Sequence, residues 1–136
     1  MPRIFISYRF TGEDINELKK LMKMVGDTLN KAGHEHYCTV WDSQKFAEEK
    51  FTGKQIMDYG LRELDKADVI LFLVKSEHIS EGMLVEAGYA IAKGKKSLLF
   101  INKNLKSHIL RRLFENHITE FDNLNDLEIK LTNLKL

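Results

Sequence analysis

Apolar residues fall into two kinds of run along this chain, and their alternation predicts its architecture. Short continuous runs at Arg3–Ser7 (RIFIS), Val69–Val74 (VILFLV) and 97–101 (SLLFI) are rich in β-branched and aromatic residues. Such runs mark strands covered on both faces. Between them, apolar positions recur at helix spacing. Leu18, Leu21, Met22, Val25 and Leu29 form one stripe, with Gly33 as its stop. Ile56, Leu61 and Leu64 form another, within a helix from about 53 to 66. A third helix carries Ile109, Leu110, Leu113 and Phe114, and an amphipathic helix over about 124–134 closes the chain. Further strands are expected at 36–41 and 117–121, while DSQKFAEEKFTGK reads as a loop with room for a helical turn.

Strands alternating with helices imply a parallel sheet wrapped on both faces. Right-handed crossovers make that an α/β three-layer sandwich, a flavodoxin-like doubly wound parallel sheet of four or five strands. Ligands bind such sheets beyond the carboxyl ends of the strands, near the point where strand order reverses. Three loops are expected to line that crevice: residues 7–13, 41–52 and 75–80.

One segment stands apart. Within 82–92 (GMLVEAGYAIA) the only charged side chain is Glu86. A helix apolar on nearly every side is expected to pack inside a domain, where an unpaired carboxylate costs several kcal/mol. Glu86 is therefore either a structural group tied to a neighbouring strand or Arg, or a group held for chemistry. Ser80 suits the helix N-cap, and Gly82 admits a ligand to the first free N–H groups, a natural anion site. Gly82 and Glu86 stack one turn apart, so the carboxylate would sit beside whatever that helix start holds. Arg9 in the first loop is placed either to pair with a phosphate or to lie solvated on the surface. Trp41, Phe46 and Phe51 in the second offer faces for a stacked base, or else cover the sheet end.

Composition narrows the class. With 136 residues the chain fits one domain, 1–136. Lys+Arg 21 against Asp+Glu 20 gives no field that favours nucleic acid or an acidic membrane, and no apolar stretch is long enough to span a bilayer. A single cysteine, Cys38, excludes an internal disulfide and fits a reducing cytosol. The first residues run straight into a strand with no signal-peptide pattern, so a cytoplasmic location is expected. His34, His36 and Cys38 alternate and would share one strand face. They read as a partly buried face with an inert core thiol, so no metal and no cofactor are expected.

The stretch ADVILFLVKSEHISEGMLVEAGYAIAKGKKSLLFIN resembles the core of the nucleoside 2-deoxyribosyltransferase family, which includes relatives that hydrolyse deoxynucleoside 5'-monophosphates. The shared pattern is Ala-Asp before a buried strand, a polar loop, Gly-x-x-x-Glu-x-Gly-Tyr-Ala, and Gly-Lys before the next strand. The resemblance implies that Glu86 attacks the anomeric carbon to give a covalent ribosyl-enzyme and a free base, after which water or a second base takes the sugar. It also implies a homodimer or larger assembly, since those relatives build their sites at subunit contacts. The ligand would be a small-molecule nucleoside or nucleotide.

Some positions depart from the pattern. The family's aspartate falls on Gly60, and Asp58 two residues away points to a different helix face. Six residues before the nucleophile, the transferases carry Asp and the monophosphate hydrolases Ser; Ser80 here favours a nucleotide, because a neutral hydroxyl tolerates a phosphate. The family's strand-one Tyr corresponds to Phe5, with Tyr8 available to substitute. The candidate set is thus Glu86, Asp58 and Tyr8 for catalysis, with Ser7, Arg9, Trp41, Ser80 and Gly82 for binding. RIFISYRFTGED also resembles the opening of Toll/interleukin-1 receptor domains, which implies either NAD cleavage by a helix-borne Glu or assembly of signalling complexes. A non-catalytic nucleotide sensor is a third reading, made reasonable by Gly60.

Overall fold

The computed structural model describes residues 1–10 and 12–136, so Thr11 of the first rim loop falls outside it. Five strands, β1 (Arg3–Ser7), β2 (Glu35–Tyr37), β3 (Val69–Val74), β4 (Lys96–Asn102) and β5 (Ile118–Phe121), form one sheet in the order β2-β1-β3-β4-β5. Every pairing is parallel. Strand order reverses between β1 and β3, where the chain leaves in opposite directions and opens a crevice at the carboxyl ends.

Among the described residues six α-helices cover the two faces: α1 (Ile15–Lys31), α2 (Ser43–Glu48), α3 (Gly53–Lys66), α4 (Glu81–Ala92), α5 (Ile109–Leu113) and α6 (Leu124–Thr132). Alternation along the strands divides the core in two. Ile4, Ile6, Leu71 and Leu73 point to one side and pack with Leu21, Met22, Val25 and Leu29 of α1 and Leu127 and Leu131 of α6. Phe5, Ile70, Phe72 and Val74 point to the other, against Leu64 of α3, Met83 and Ala87 of α4 and Leu110 of α5. Both helices that flank the crevice on this second side have strong starts. Thr52 and Gln55 close a reciprocal capping box on α3 (3.2 and 2.8 Å), and Ser80 Oγ accepts from the Met83 amide (3.2 Å) on α4.

The second strand is shorter than its apolar pattern suggests. After Tyr37 the chain leaves the sheet, and Thr39–Asp42 form a 3-10 turn leading into α2, which occupies the segment read as a loop. The cause is local. Tyr37 and Tyr59 both donate to Asp42 Oδ2 (2.6 and 3.1 Å), which folds the chain back over α3. Cys38 sits fully buried at the bend, its thiol pushed up to about 12 by that burial. His34 meets the Leu134 carbonyl at 3.3 Å and His36 meets Asn30 Oδ1 at 3.1 Å, so each histidine has its own structural partner. Among the described residues, no group of His, Cys, Asp or Glu is arranged to hold a metal ion. No described helix is long and apolar enough to cross a membrane.

The α4 expectation also needs correction. The helix packs through Met83, Ala87 and Ala90, but Glu81, Val85, Gly88 and Ile91 are exposed. It is a surface helix with an apolar outer face, not a fully enclosed one.

Candidate active site

Ser7 is the last residue of β1 and shares the side of Phe5, so its hydroxyl faces α4. There Ser7 Oγ donates to Glu86 Oε1 at 2.7 Å. Glu86 Oε2 accepts no hydrogen bond from any described residue. It lies opposite Gly60 of α3, where a Cβ would stand 3.7 Å from this oxygen and 3.5 Å from Thr39 Cγ2. One carboxylate oxygen is thus anchored and the other is left over a space that residue 60 does not fill. Burial pushes the Glu86 carboxyl up to about 7, against the opposing pull of the Ser7 hydrogen bond. The group therefore stands near half-ionised at neutral pH, the range suited to proton transfer or switchable nucleophilicity.

Glu86 opens into a cleft of about 830 Å³, within the size range of small-molecule sites. Its floor is the start of α4 (Ser80, Gly82, Met83) and one wall is α3 (Met57, Gly60). Tyr8, Arg9 and Phe10 of the first rim loop form a second wall. The opposite wall is aromatic. Phe46 and Phe51 pack with ring centroids 5.1 Å apart, and Tyr59 stands edge-on to Phe46 at 5.2 Å. A side recess of about 10 Å³, room for about one water, is lined by Arg9, Lys75, Ser76, His78 and Ser80. Arg9 also contacts Glu13 at 3.3 Å. Tyr8 is buried and its phenol is pushed up to about 12, first by burial and then by the Glu13 charge.

Of the candidates read from sequence, the fold brings together Glu86, Ser7, Tyr8, Arg9, Ser80 and Gly82. It does not bring in the other two. Asp58 points outward from α3 and pairs with Lys54 at 2.7 Å, because residues 58 and 60 sit on different faces of the helix. Trp41 is 42% exposed and turned to His36, with ring centroids 6.3 Å apart, because the 3-10 turn carries it behind the cleft wall. Phe46 and Phe51, read together with it as faces for a stacked base, do line the cleft. Thr39 and Met57 were not singled out in the sequence. Thr39 reaches the cleft only because β2 ends early, and no sequence pattern marks that.

Comparison with known proteins bears on the fold and the family. A search of curated proteins gives no match. Among solved structures, a CMP N-glycosidase from Clostridium botulinum superposes with a TM-score of 0.69 at 20% identity, over 95% of this chain and 96% of its own. A 2-deoxyribosyltransferase from Bacillus psychrosaccharolyticus gives 0.65 at 17% identity, over 98% and 93%. A conserved protein from Enterococcus faecalis gives 0.64 at 16% identity, over 96% and 97%. These likenesses establish the shared α/β fold. A sequence model of the nucleoside 2-deoxyribosyltransferase family matches residues 7–127, from the Glu86 anchor on β1 to the last helix, and this chain belongs to that family.

Proposed function

We propose that the chain cleaves the N-glycosidic bond of a nucleoside or its 5'-monophosphate, with Glu86 as the nucleophile. The observation that carries this reading is the Glu86 carboxylate, with Oε1 fixed by Ser7 and Oε2 left without a partner at a cleft wide enough for a nucleotide. Oε2 attacks the anomeric carbon as the bond to the base breaks, giving a ribosyl ester of Glu86. Water then attacks the same carbon and the carboxylate leaves, as in a retaining glycosidase. Ser7 is a positioning residue. The aromatic wall stacks the base, while Arg9 and the α4 start hold the sugar or phosphate end. The free hydroxyl capacity at Ser80 favours the monophosphate, as does the CMP N-glycosidase named among the structural relatives.

The exposed Val85, Gly88 and Ile91 on α4, one face away from Glu86, support assembly as a homodimer. Sedimentation velocity tests that part, with a monomer at micromolar concentration counting against it. A cytoplasmic location fits the free thiol of Cys38.

The direct test is base release from a panel of nucleosides and 5'-monophosphates, separated by HPLC, for wild type and Glu86→Ala. Release that depends on Glu86 is expected. Identical behaviour of the two proteins on every substrate defeats the proposal. Thermal stabilisation by a nucleotide with no turnover would favour the sensor reading instead.

A further inference from the structure

Expelling a neutral base from a sugar leaves nitrogen with a negative charge unless an acid protonates it, and that acid must stand on the base side of the anomeric carbon. Here the base side of Glu86 is the space between α3 and the aromatic wall. Gly60 lines it without a side chain. The carboxylates nearby in the fold are committed elsewhere, Asp58 to Lys54 on the surface and Asp42 to the hydroxyls of Tyr37 and Tyr59. Glu81 lies at the exposed start of α4 on the cleft floor, between Ser80 and Gly82, at the end assigned to the sugar or phosphate. Glu86 itself must be ionised to attack. The Tyr8 hydroxyl, its pKa raised by burial, gives up its proton poorly at neutral pH. Among the described residues the site therefore has a nucleophile and, on the base side, no carboxylic acid for the leaving group.

A second feature points the same way. Phe46 and Phe51 line the base side, and the cleft carries Glu81 and Glu86 against the guanidinium of Arg9, which Glu13 already contacts. Aromatic faces and an excess of carboxylate both favour a positively charged ring.

We propose that the preferred substrate is a nucleotide whose base is already cationic at the glycosidic linkage, such as an N-ribosyl pyridinium or a ring-methylated purine or pyrimidine. This rests on the bond-cleaving role of Glu86 and names the substrate class for it. The balance needs no further reactant. Glu86 Oε2 forms a bond to the anomeric carbon while the carbon–nitrogen pair moves onto the ring, cancels its positive charge and releases a neutral base. Water then displaces the carboxylate and its proton passes to solvent.

The experiment compares matched 5'-monophosphates: 7-methylguanosine with guanosine, 3-methylcytidine with cytidine, and nicotinamide mononucleotide as the pyridinium. A general acid typically contributes about 10²–10⁴-fold, so kcat/KM for the cationic member of a pair is expected to exceed that of the neutral one by about 100-fold or more. Turnover of nicotinamide mononucleotide alone gives the same support. Gly60→Asp, whose Cβ meets only ordinary contacts, is expected to raise activity on the neutral members and narrow the gap. Equal rates within the pairs, or preference for the neutral member, overturn the inference and leave the N-glycosidase reading standing. No Glu86-dependent release from any of the five overturns both.

Discussion

Removing the hydroxyl of Ser7 is the sharpest probe of how Glu86 is tuned. Ser7→Ala deletes the 2.7 Å bond to Oε1 and leaves the burial that raises the carboxyl to about 7 unopposed. A hydrogen bond to a charged group contributes about 1.5–3 kcal/mol, and each pKa unit corresponds to about 1.4 kcal/mol. The Glu86 pKa is therefore expected to rise by about 1–2 units. With half of wild type ionised near pH 7, the variant would be ionised to about 10% or 1%, a fall of about 5- to 50-fold at that pH. Activity should recover as pH rises past the new midpoint. The assay is kcat/KM for base release between pH 5 and 10, which reports the free-enzyme group. A loss that is uniform across the range, with the midpoint unmoved, would refute the claim that Ser7 acts through the ionisation of Glu86.

Stability should move with the same group. The folded state holds the Glu86 proton more tightly than the unfolded chain, whose value is 4.5, so stability is fully present below pH 4.5 and falls as pH rises to about 7. Glu86→Gln removes that loss and is expected to be more stable than wild type by about 3 kcal/mol above pH 8, with no difference at pH 4, by urea unfolding. Arg9→Ala should raise KM for a 5'-monophosphate about tenfold or more while leaving the parent nucleoside unchanged. Phe51→Ala should raise KM for the best substrate by about 1–3 kcal/mol equivalent, whereas Trp41→Ala, outside the cleft, should not. A Cβ at Gly26 would run into the imidazole of His36. Gly26→Ala is therefore expected to cost about 1–3 kcal/mol of overpacking against about 1 kcal/mol of helix propensity. Adding His36→Ala should reverse the sign, measured by denaturant midpoint.

Much of this arrangement is legible in the sequence because it follows from periodicity. The run VILFLV can only be a doubly covered strand, and Ser7 follows Phe5 by two, so both must face the same layer. The lone Glu in an apolar helix announces itself. What periodicity does not show is side-chain commitment at the rim. His36 to Trp41 carries a strand-like pattern, yet two phenols competing for Asp42 pull the chain out of the sheet after Tyr37. That bend takes Trp41 out of the wall, leaves Phe46 and Phe51 in it, and brings Thr39 to the cleft. Asp58 misleads for a simpler reason, since Lys54 one turn earlier offers it a surface partner.

Ser7 ends a strand that is hydrogen-bonded on both edges, to β2 and to β3, while the aromatic surfaces proposed to meet the base belong to α2 and its flanking turns. Reactivity and selectivity are therefore mounted on separate parts: one on the stiffest portion of the scaffold, the other on its periphery. Under the proposed function, substitutions around residues 43–51 would retrain the protein toward a different base without detuning Glu86.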